Sequence, residues 1–294
     1  MRWAEGFIAV DWGTTNRRAY VVDAQRQCVG EFADGLGILS IPAGGFEAAM
    51  GQIREKLGDR PMLLAGMIGS NRGWIEVPYV RCPAGLEQLA RGIVRSPDGS
   101  AVLVPGVAYE DSHVDIMRGE ELQILGAAAN GDVPQDCLVC HPGTHNKWIR
   151  LEAGRIVSFR TVMTGELFNL LKAKSILSDL LSRDVKAGGA FLSGVREGLA
   201  GTGVTAELFE TRARVLLGRT PAEEAASFIS GLLIGEDVRI GMAGHPGTRV
   251  IVIGRADLAA LYADALKEAG VESEQASGER AFIAGAKQIM ELIQ

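Results

Sequence analysis

Ile8-Ala9-Val10-Asp11-Trp12-Gly13-Thr14-Thr15-Asn16-Arg17-Arg18-Ala19-Tyr20-Val21-Val22-Asp23 decides the fold. A β-branched apolar run ends in an acid, a small polar turn follows, and a second apolar run returns. This pattern predicts a β-hairpin whose tip carries Asp11, Gly13, Thr14, Thr15 and Asn16. Gly13 lets a ligand approach the backbone closely, and successive turn N–H groups can cradle a phosphate. The hydroxyls of Thr14 and Thr15 add donors. An acid beside phosphate donors would repel the phosphate unless a cation lies between them, and magnesium carried on a nucleotide is the natural cation.

The pattern occurs a second time, at Leu138-Val139-Cys140-His141-Pro142-Gly143-Thr144-His145-Asn146-Lys147-Trp148-Ile149-Arg150-Leu151. The tips align without gaps: Gly13 with Gly143, Thr14 with Thr144, Asn16 with Asn146, Arg17 with Lys147. Either tip alone is also an ordinary turn. A pair, each opening its own half of the chain, predicts two clamps on the phosphates of one nucleotide.

Composition bounds the rest. The 294 residues are 47% hydrophobic and 22% charged, enough for one large or two medium folded domains. The net charge is −6 and no basic block occurs, which argues against a nucleic-acid partner. No stretch reaches the length of a membrane span. The apolar run Phe7–Val10 is too short for a signal peptide, so the expected compartment is the cytoplasm. Cys28, Cys82, Cys137 and Cys140 are expected to be small apolar residues without disulfides. Cys137-Leu138-Val139-Cys140-His141 matches the haem-attachment spacing only formally, because it lies in an expected buried strand of a cytosolic chain.

Along the chain, Cys28–Phe32 reads as a third strand. Phe46, Met50, Ile53 and Leu57 predict a helix over Gly45–Leu57. Pro61–Met67 and Ala101–Pro105 read as strands, with a polar loop, Ile68–Trp74, between them. Gly119–Ala129 reads as a helix opening with Glu120 and Glu121, and Met163–Phe168 leads into another. Thr220-Pro221-Ala222-Glu223 predicts a helix start with Thr220 as N-cap. Val250–Ile253 reads as a strand, followed by a Gly254 turn, a helix over Asp257–Ala269 and a C-terminal amphipathic helix through Phe282, Ala286, Ile289 and Ile293. Two halves that each open with a hairpin and close with helices imply a duplicated α/β architecture with a cleft between lobes.

Val10-Asp11-Trp12-Gly13-Thr14-Thr15 resembles the first phosphate motif of the sugar kinase, Hsp70 and actin superfamily. His141-Pro142-Gly143-Thr144-His145 resembles its second phosphate motif, and Val250-Ile251-Val252-Ile253-Gly254 its adenosine motif. Six segments are similar, in order, to those of the 2-dehydro-3-deoxygalactonokinases: Asp11–Asn16, Gly66–Trp74, Pro78–Val80, Pro142–Trp148, Met163–Leu167 and Ser230–Leu233. Arg255 departs from the pattern, which carries a second glycine there.

The resemblance implies a two-lobed ribonuclease H-like (actin-like ATPase) fold. The lobes would span residues 1–118, with helix 280–294 packing back, and 119–279. It implies phosphorylation of 2-dehydro-3-deoxy-D-galactonate at its 6-hydroxyl, with ATP and Mg2+. Asp11 would hold the metal. Gly13, Thr14, Thr15, Asn16, Gly143, Thr144, His145, Asn146, Lys147 and Gly254 would contact nucleotide, and Asn16, Arg17 or Lys147 would stabilise the transferring group. The base would be Glu120 or Glu121 at the start of the helix before the second hairpin, with Glu120 favoured. Asn71, Arg72, Gly73, Trp74, Glu76 and Tyr79 would form the sugar-acid pocket, helped by Thr164, Gly165 and Glu166. A homodimer is compatible with this reading. The rival readings are a kinase for another sugar acid or hexose and a nucleotide-dependent ATPase of the same fold that is not a kinase.

Overall fold

The computed structural model describes residues 3–293; residues 1, 2 and 294, which fall within the expected lobes, lie outside it. Two compact units divide the chain. The first comprises residues 1–136, 151–158 and 278–294, and the second residues 137–150 and 159–277.

The first unit is built on the quoted hairpin. β1 (Gly6–Trp12) pairs antiparallel with β2 (Arg17–Asp23), and β2 with β3 (Cys28–Asp34). On its other side β1 runs parallel to β4 (Met62–Gly66), whose five residues are all buried. β5 (Val80–Arg81) belongs to a small separate sheet. β6 (Val94–Arg95) and β7 (Ala101–Leu103) complete the main sheet, in the order β3-β2-β1-β4-β7-β6. The small sheet has the order β5-β8-β9, with β8 at Val107–Glu110 and β9 at Val114–Met117. The central strands lie between two covered faces, which is why they read as continuous apolar runs instead of alternating ones.

One face of the sheet packs against α1 (Phe46–Leu57) through Phe46, Met50 and Ile53. α2 (Leu86–Arg91) is short. α3 (Glu120–Ala129) packs on the C-terminal helix of this unit so closely that a Cβ on Gly126 would strike the Ala281 carbonyl.

The second large sheet repeats the strand order. β10 (Cys137–His141), β11 (Asn146–Glu152), β12 (Arg155–Val162), β13 (Val250–Gly254) and β14 (Ser273–Ser277) are arranged β12-β11-β10-β13-β14. In each sheet the first strand sits beside the second on one side and a later parallel strand on the other, so the echo in the sequence is an echo in topology. Helices α4 (Thr164–Lys174), α5 (Gly189–Ala200), α6 (Val204–Leu216), α7 (Ala225–Gly241) and α8 (Ala256–Glu268) follow, and α9 (Gly278–Ile293) returns to the first unit. The chain thus has the α/β, ribonuclease H-like fold expected from the sequence.

Two local expectations change. Thr220 is not an N-cap: a single 3₁₀ turn, Ala222–Glu224, follows Pro221 and delays α7 to Ala225. β14, Ser-Glu-Gln-Ala-Ser, has no apolar alternation and gave no strand signal; it forms because β13 offers it a parallel edge. Among the described residues no helix is long and apolar enough to cross a membrane.

Candidate functional site

In the first unit the Gly13–Asn16 turn is closed by the Gly13 N–H donating to the Asn16 carbonyl at 2.9 Å. Its back rests on Gly37–Leu39, whose N–H groups donate to the carbonyls of Thr15, Gly13 and Thr14. A Cβ on Gly37 would strike the Thr14 carbonyl, so glycine permits this contact. With carbonyls bound behind, the tip presents Thr14, Thr15 and Asn16 to solvent. The amides of Thr14 and Thr15 make no hydrogen bond among the described residues. That is the arrangement an anion-binding turn requires.

Arg17 does not face this tip. It pairs in register with buried Trp12, so strand alternation drives it inward, and it is 1% exposed. Its guanidinium binds both oxygens of Asp34 at 2.9 Å and the Ala49 carbonyl at 2.8 Å. The expected role on the transferring group is therefore withdrawn for Arg17. It staples β2 to β3 and α1.

Asp11 lies on β1, just before the tip, opposite Arg18. It is half-buried, and its carboxyl is pushed up to about 6. Burial is the main cause; the charge of Glu120 adds to it, while Arg18 and the Gln123 side chain oppose. Gln123 Nε2 donates to Asp11 Oδ2 at 3.4 Å. Gly66 and Gly119, at φ of +93° and +116°, bring the end of β4 against the start of α3. A Cβ on Gly119 would lie 3.2 Å from the Gly66 Cα and 4.0 Å from Asp11 Oδ1.

The two glutamates at the start of α3 differ. Glu120 is half-buried; its Oε2 accepts from the Arg118 N–H at 3.1 Å, and its charge reaches Asp11. Glu121 is 0% exposed, and its Oε2 accepts from the Gly119 N–H at 2.6 Å. Burial, helped by the charge of Glu120, pushes its carboxyl up to about 8, so at neutral pH it is a neutral acid.

The Ile68–Tyr79 segment folds tightly. The Trp74 N–H donates to the Ile68 carbonyl and the Val77 N–H to that of Gly69, both at 2.9 Å. A Cβ on Gly73 would strike the Ile68 carbonyl. Asn71, Arg72 and Glu76 are exposed, Trp74 packs half-buried on the first core, and Tyr79 is exposed. Arg118, which the sequence did not mark, lies beneath Tyr79 with its guanidinium carbon 4.3 Å from the ring centre.

In the second unit the Gly143–His145 turn leaves Thr144 and His145 exposed. The start of α4 lies against it: Glu166 N–H donates to the Thr144 carbonyl at 2.9 Å, His145 Nε2 meets Glu166 Oε2, and a Cβ on Gly165 would crowd the Gly143 carbonyl at 2.5 Å. Gly254 closes from the other side, where its Cβ would lie 3.3 Å from the Pro142 carbonyl. Arg255 adopts an extended conformation at φ −67°, which needs no glycine, and binds Asp257 at 2.6 Å.

Behind this tip is Asp237 of α7, 0% exposed. It accepts from Asn146 Nδ2 at 2.8 and 2.9 Å, Trp148 Nε1 at 2.7 Å, Thr164 Oγ1 at 2.5 Å and the Tyr262 hydroxyl. The side chains of Asn146 and Thr164, expected at ligand, are thus committed to Asp237. Lys147 is 5% exposed. Burial pushes the Asp237 carboxyl up, and its four donors pull it back. Cys140 is a buried thiol beside Asn146, in keeping with a structural role.

The sequence model of the 2-keto-3-deoxy-galactonokinase family matches residues 11–289. A 2-dehydro-3-deoxygalactonokinase of Escherichia coli K12 is 34% identical over 289 residues, covering 96% of this chain and 97% of its own. A crystal structure from Sinorhizobium meliloti, assigned as a 2-dehydro-3-deoxygalactonokinase, superposes with a TM-score of 0.90 at 33% identity, over 96% of this chain and 97% of its own. Component A of the Acidaminococcus fermentans (R)-2-hydroxyglutaryl-CoA dehydratase matches at a TM-score of 0.55 and 16% identity, over 98% and 99% of the two chains, which is a likeness of fold.

Proposed function

The chain belongs to the 2-keto-3-deoxy-galactonokinase family of carbohydrate kinases, and on that premise we propose that it transfers the γ-phosphoryl group of ATP to the 6-hydroxyl of 2-dehydro-3-deoxy-D-galactonate in the cytoplasm. The observation that carries this reading is the pair Asp11 and Glu120: two half-buried acids in electrostatic contact, beside a turn with unspent amides. Such a pair costs stability unless a cation or a proton joins it.

Among the described residues no group of three or more His, Cys, Asp or Glu could hold a metal ion. The lone carboxylate of Asp11 beside the turn suits magnesium, which keeps waters and is commonly held by one or two carboxylates together with nucleotide phosphates. Asp11 would hold it, and it would neutralise charge on the phosphates. The amides and hydroxyls of Thr14, Thr15 and Thr144, with the backbone at Gly13 and Gly143, would orient the β- and γ-phosphates. In this reading the two tips serve one nucleotide, and Gly254 shapes the turn for its base end.

Glu120 takes the proton of the 6-hydroxyl as the new O–P bond forms and the γ-phosphoryl bond to ADP breaks. Glu121, neutral and buried, fixes the Gly119 turn beneath it. Most of the acceleration comes from positioning and charge neutralisation, as in other phosphoryl transfers. The Asn71–Tyr79 segment, with Glu166 of the second unit, would contact the acceptor.

The test is a coupled assay of ADP release with and without acceptor. ADP release should depend strongly on 2-dehydro-3-deoxy-D-galactonate, and the gluconate epimer should be the poorer acceptor. ATP hydrolysis that is indifferent to every sugar acid offered would overturn the proposal.

A further inference from the structure

A surface helix ordinarily turns one apolar stripe inward and leaves polar residues outside, but α6 (Val204–Leu216) carries apolar residues on both sides. Its inner side is taken. Leu208 and Val204 join the cluster of Leu177, Leu181, Ile229 and Leu233, and Thr211, one turn on from Leu208, is buried too. On the far side run Ala206, Phe209, Ala213 and Leu216, spaced three, four and three residues apart, with Leu217 just beyond. That spacing keeps them in one stripe, opposite Leu208 and Thr211. Phe209 is 62% exposed, Leu216 70% and Leu217 72%. Ile176, 60% exposed, flanks the stripe, because its carbonyl accepts from Arg212 Nη1 at 2.8 Å. Together these side chains expose on the order of 500 Å² of apolar surface, towards the upper end for the largest patch on a monomer. Two such patches face to face would bury about 1,000 Å², the level a specific interface must clear.

The sizes in the stripe say what fits it. They alternate small, large, small, large. When two copies of α6 lie side by side in opposite senses, Ala206 meets Leu216 of the second copy and Phe209 meets its Ala213. Every layer then sets a large side chain on a small one. In the same sense, Phe209 would meet Phe209 and Ala206 would meet Ala206, giving collisions and gaps by turns. Charge agrees. Glu207 and Glu210 lie in the first half of α6, Arg212 and Arg214 in the second, and Arg219 just past its end. Opposite senses lay each acidic half along the arginine half of the other copy, and they also align the two helix dipoles favourably. The charges of a single copy leave room for this. Burial, and then the charges of Glu210 and Glu197, hold the Glu207 carboxyl above its ordinary value. Among the described residues the Arg219 side chain has no partner.

From these observations we infer that α6 is a self-association surface, on which two copies of this chain pair about a two-fold axis, α6 against α6 in opposite senses. Such a contact uses the same patch on both copies and closes at two. No residue assigned to the reaction lies on α6, so this inference and the kinase reading stand or fall separately.

Sedimentation equilibrium at micromolar concentration tests it. The wild type should run at twice 31.2 kDa. Phe209→Glu puts a charge into the stripe and should raise the dimer dissociation constant on the order of 100-fold. Because Phe209 touches little of its own chain's core, the variant should keep its circular dichroism spectrum and thermal midpoint. A wild type that sediments as a monomer overturns the inference, and so does a Phe209→Glu protein that stays folded and dimeric.

Should Phe209→Glu fail to fold, paired cysteines decide. They are placed in a Cys28→Ser background, which removes the exposed native thiol. Mild oxidation should link two copies of the Ala206→Cys, Leu216→Cys double variant and of neither single variant. Linked single variants would set the helices in the same sense and overturn the inferred pairing. A double variant that stays unlinked overturns the contact itself.

Discussion

Asp11 and Asp237 stand behind matching turns in the two units, and they are opposites. Asp237 is sealed from solvent and ringed by four neutral donors, which satisfy its oxygens from β11, α4 and α8. Asp11 is half-buried, has one long hydrogen bond at 3.4 Å and faces a second acid. A carboxylate with all its hydrogen bonds made stabilises a fold, whereas one left short of partners beside another acid is poised for a cation or a proton. On the proposed reading, then, Asp11 serves the chemistry and Asp237 the scaffold of its own turn.

The largest effect should fall on the chemical side. Glu120→Gln is expected to lower kcat by roughly 10²–10⁴-fold while nucleotide affinity is kept. Glu121→Gln should stay within about tenfold of wild type, since that acid is already neutral. The reverse order in steady-state turnover would exchange the two roles. Next, Asp11→Asn and Asp237→Asn should separate stability from activity. Asp237→Asn sets an amide against groups that all donate, and should cost about 3 kcal/mol in denaturant unfolding. Asp11→Asn relieves a repulsion, so it should leave stability at neutral pH equal or higher while catalysis collapses. If Asp11→Asn unfolds the protein instead, the contrast fails.

Smaller effects follow from pH and from single hydrogen bonds. Glu121 has a folded pKa of about 8, above its unfolded value of about 4.5. Between these values the folded state holds the extra proton, so its contribution falls as pH rises, by up to roughly 1.4 kcal/mol per pH unit. Glu121→Gln should flatten the stability profile across that window; an unchanged slope would place the titration elsewhere. Tyr262→Phe, which removes one donor from Asp237, should cost about 1 kcal/mol and leave kcat near wild type.

Much of this was legible in the sequence. Both hairpins, the gap-free alignment of their tips, α3 with its two glutamates and the strand–turn–helix at Val250 all follow from periodicity and turn chemistry. The turn chemistry alone puts Arg17 near the tip, whereas the alternation of β2 puts it inside. Its partner in register, Trp12, is buried, so Arg17 must be buried too and Arg18 left outside. The split between Glu120 and Glu121 also left a trace, since Glu121 precedes Leu125 by one helical turn and shares its buried face. Asp237 left no usable trace at Asn146 or Thr164. It lies 91 residues from one and 73 from the other, and only the fold joins them. β14 depended on its neighbour's edge, which no local pattern records.

In the proposed reaction a single triphosphate meets both glycine–threonine turns. A crystal structure with magnesium and a non-hydrolysable ATP analogue tests it directly. The β- and γ-phosphate oxygens are expected within hydrogen-bonding distance of the backbone at both Gly13–Thr15 and Gly143–Thr144, with the metal on Asp11. Phosphates held by one turn alone, with the other facing solvent, would contradict it.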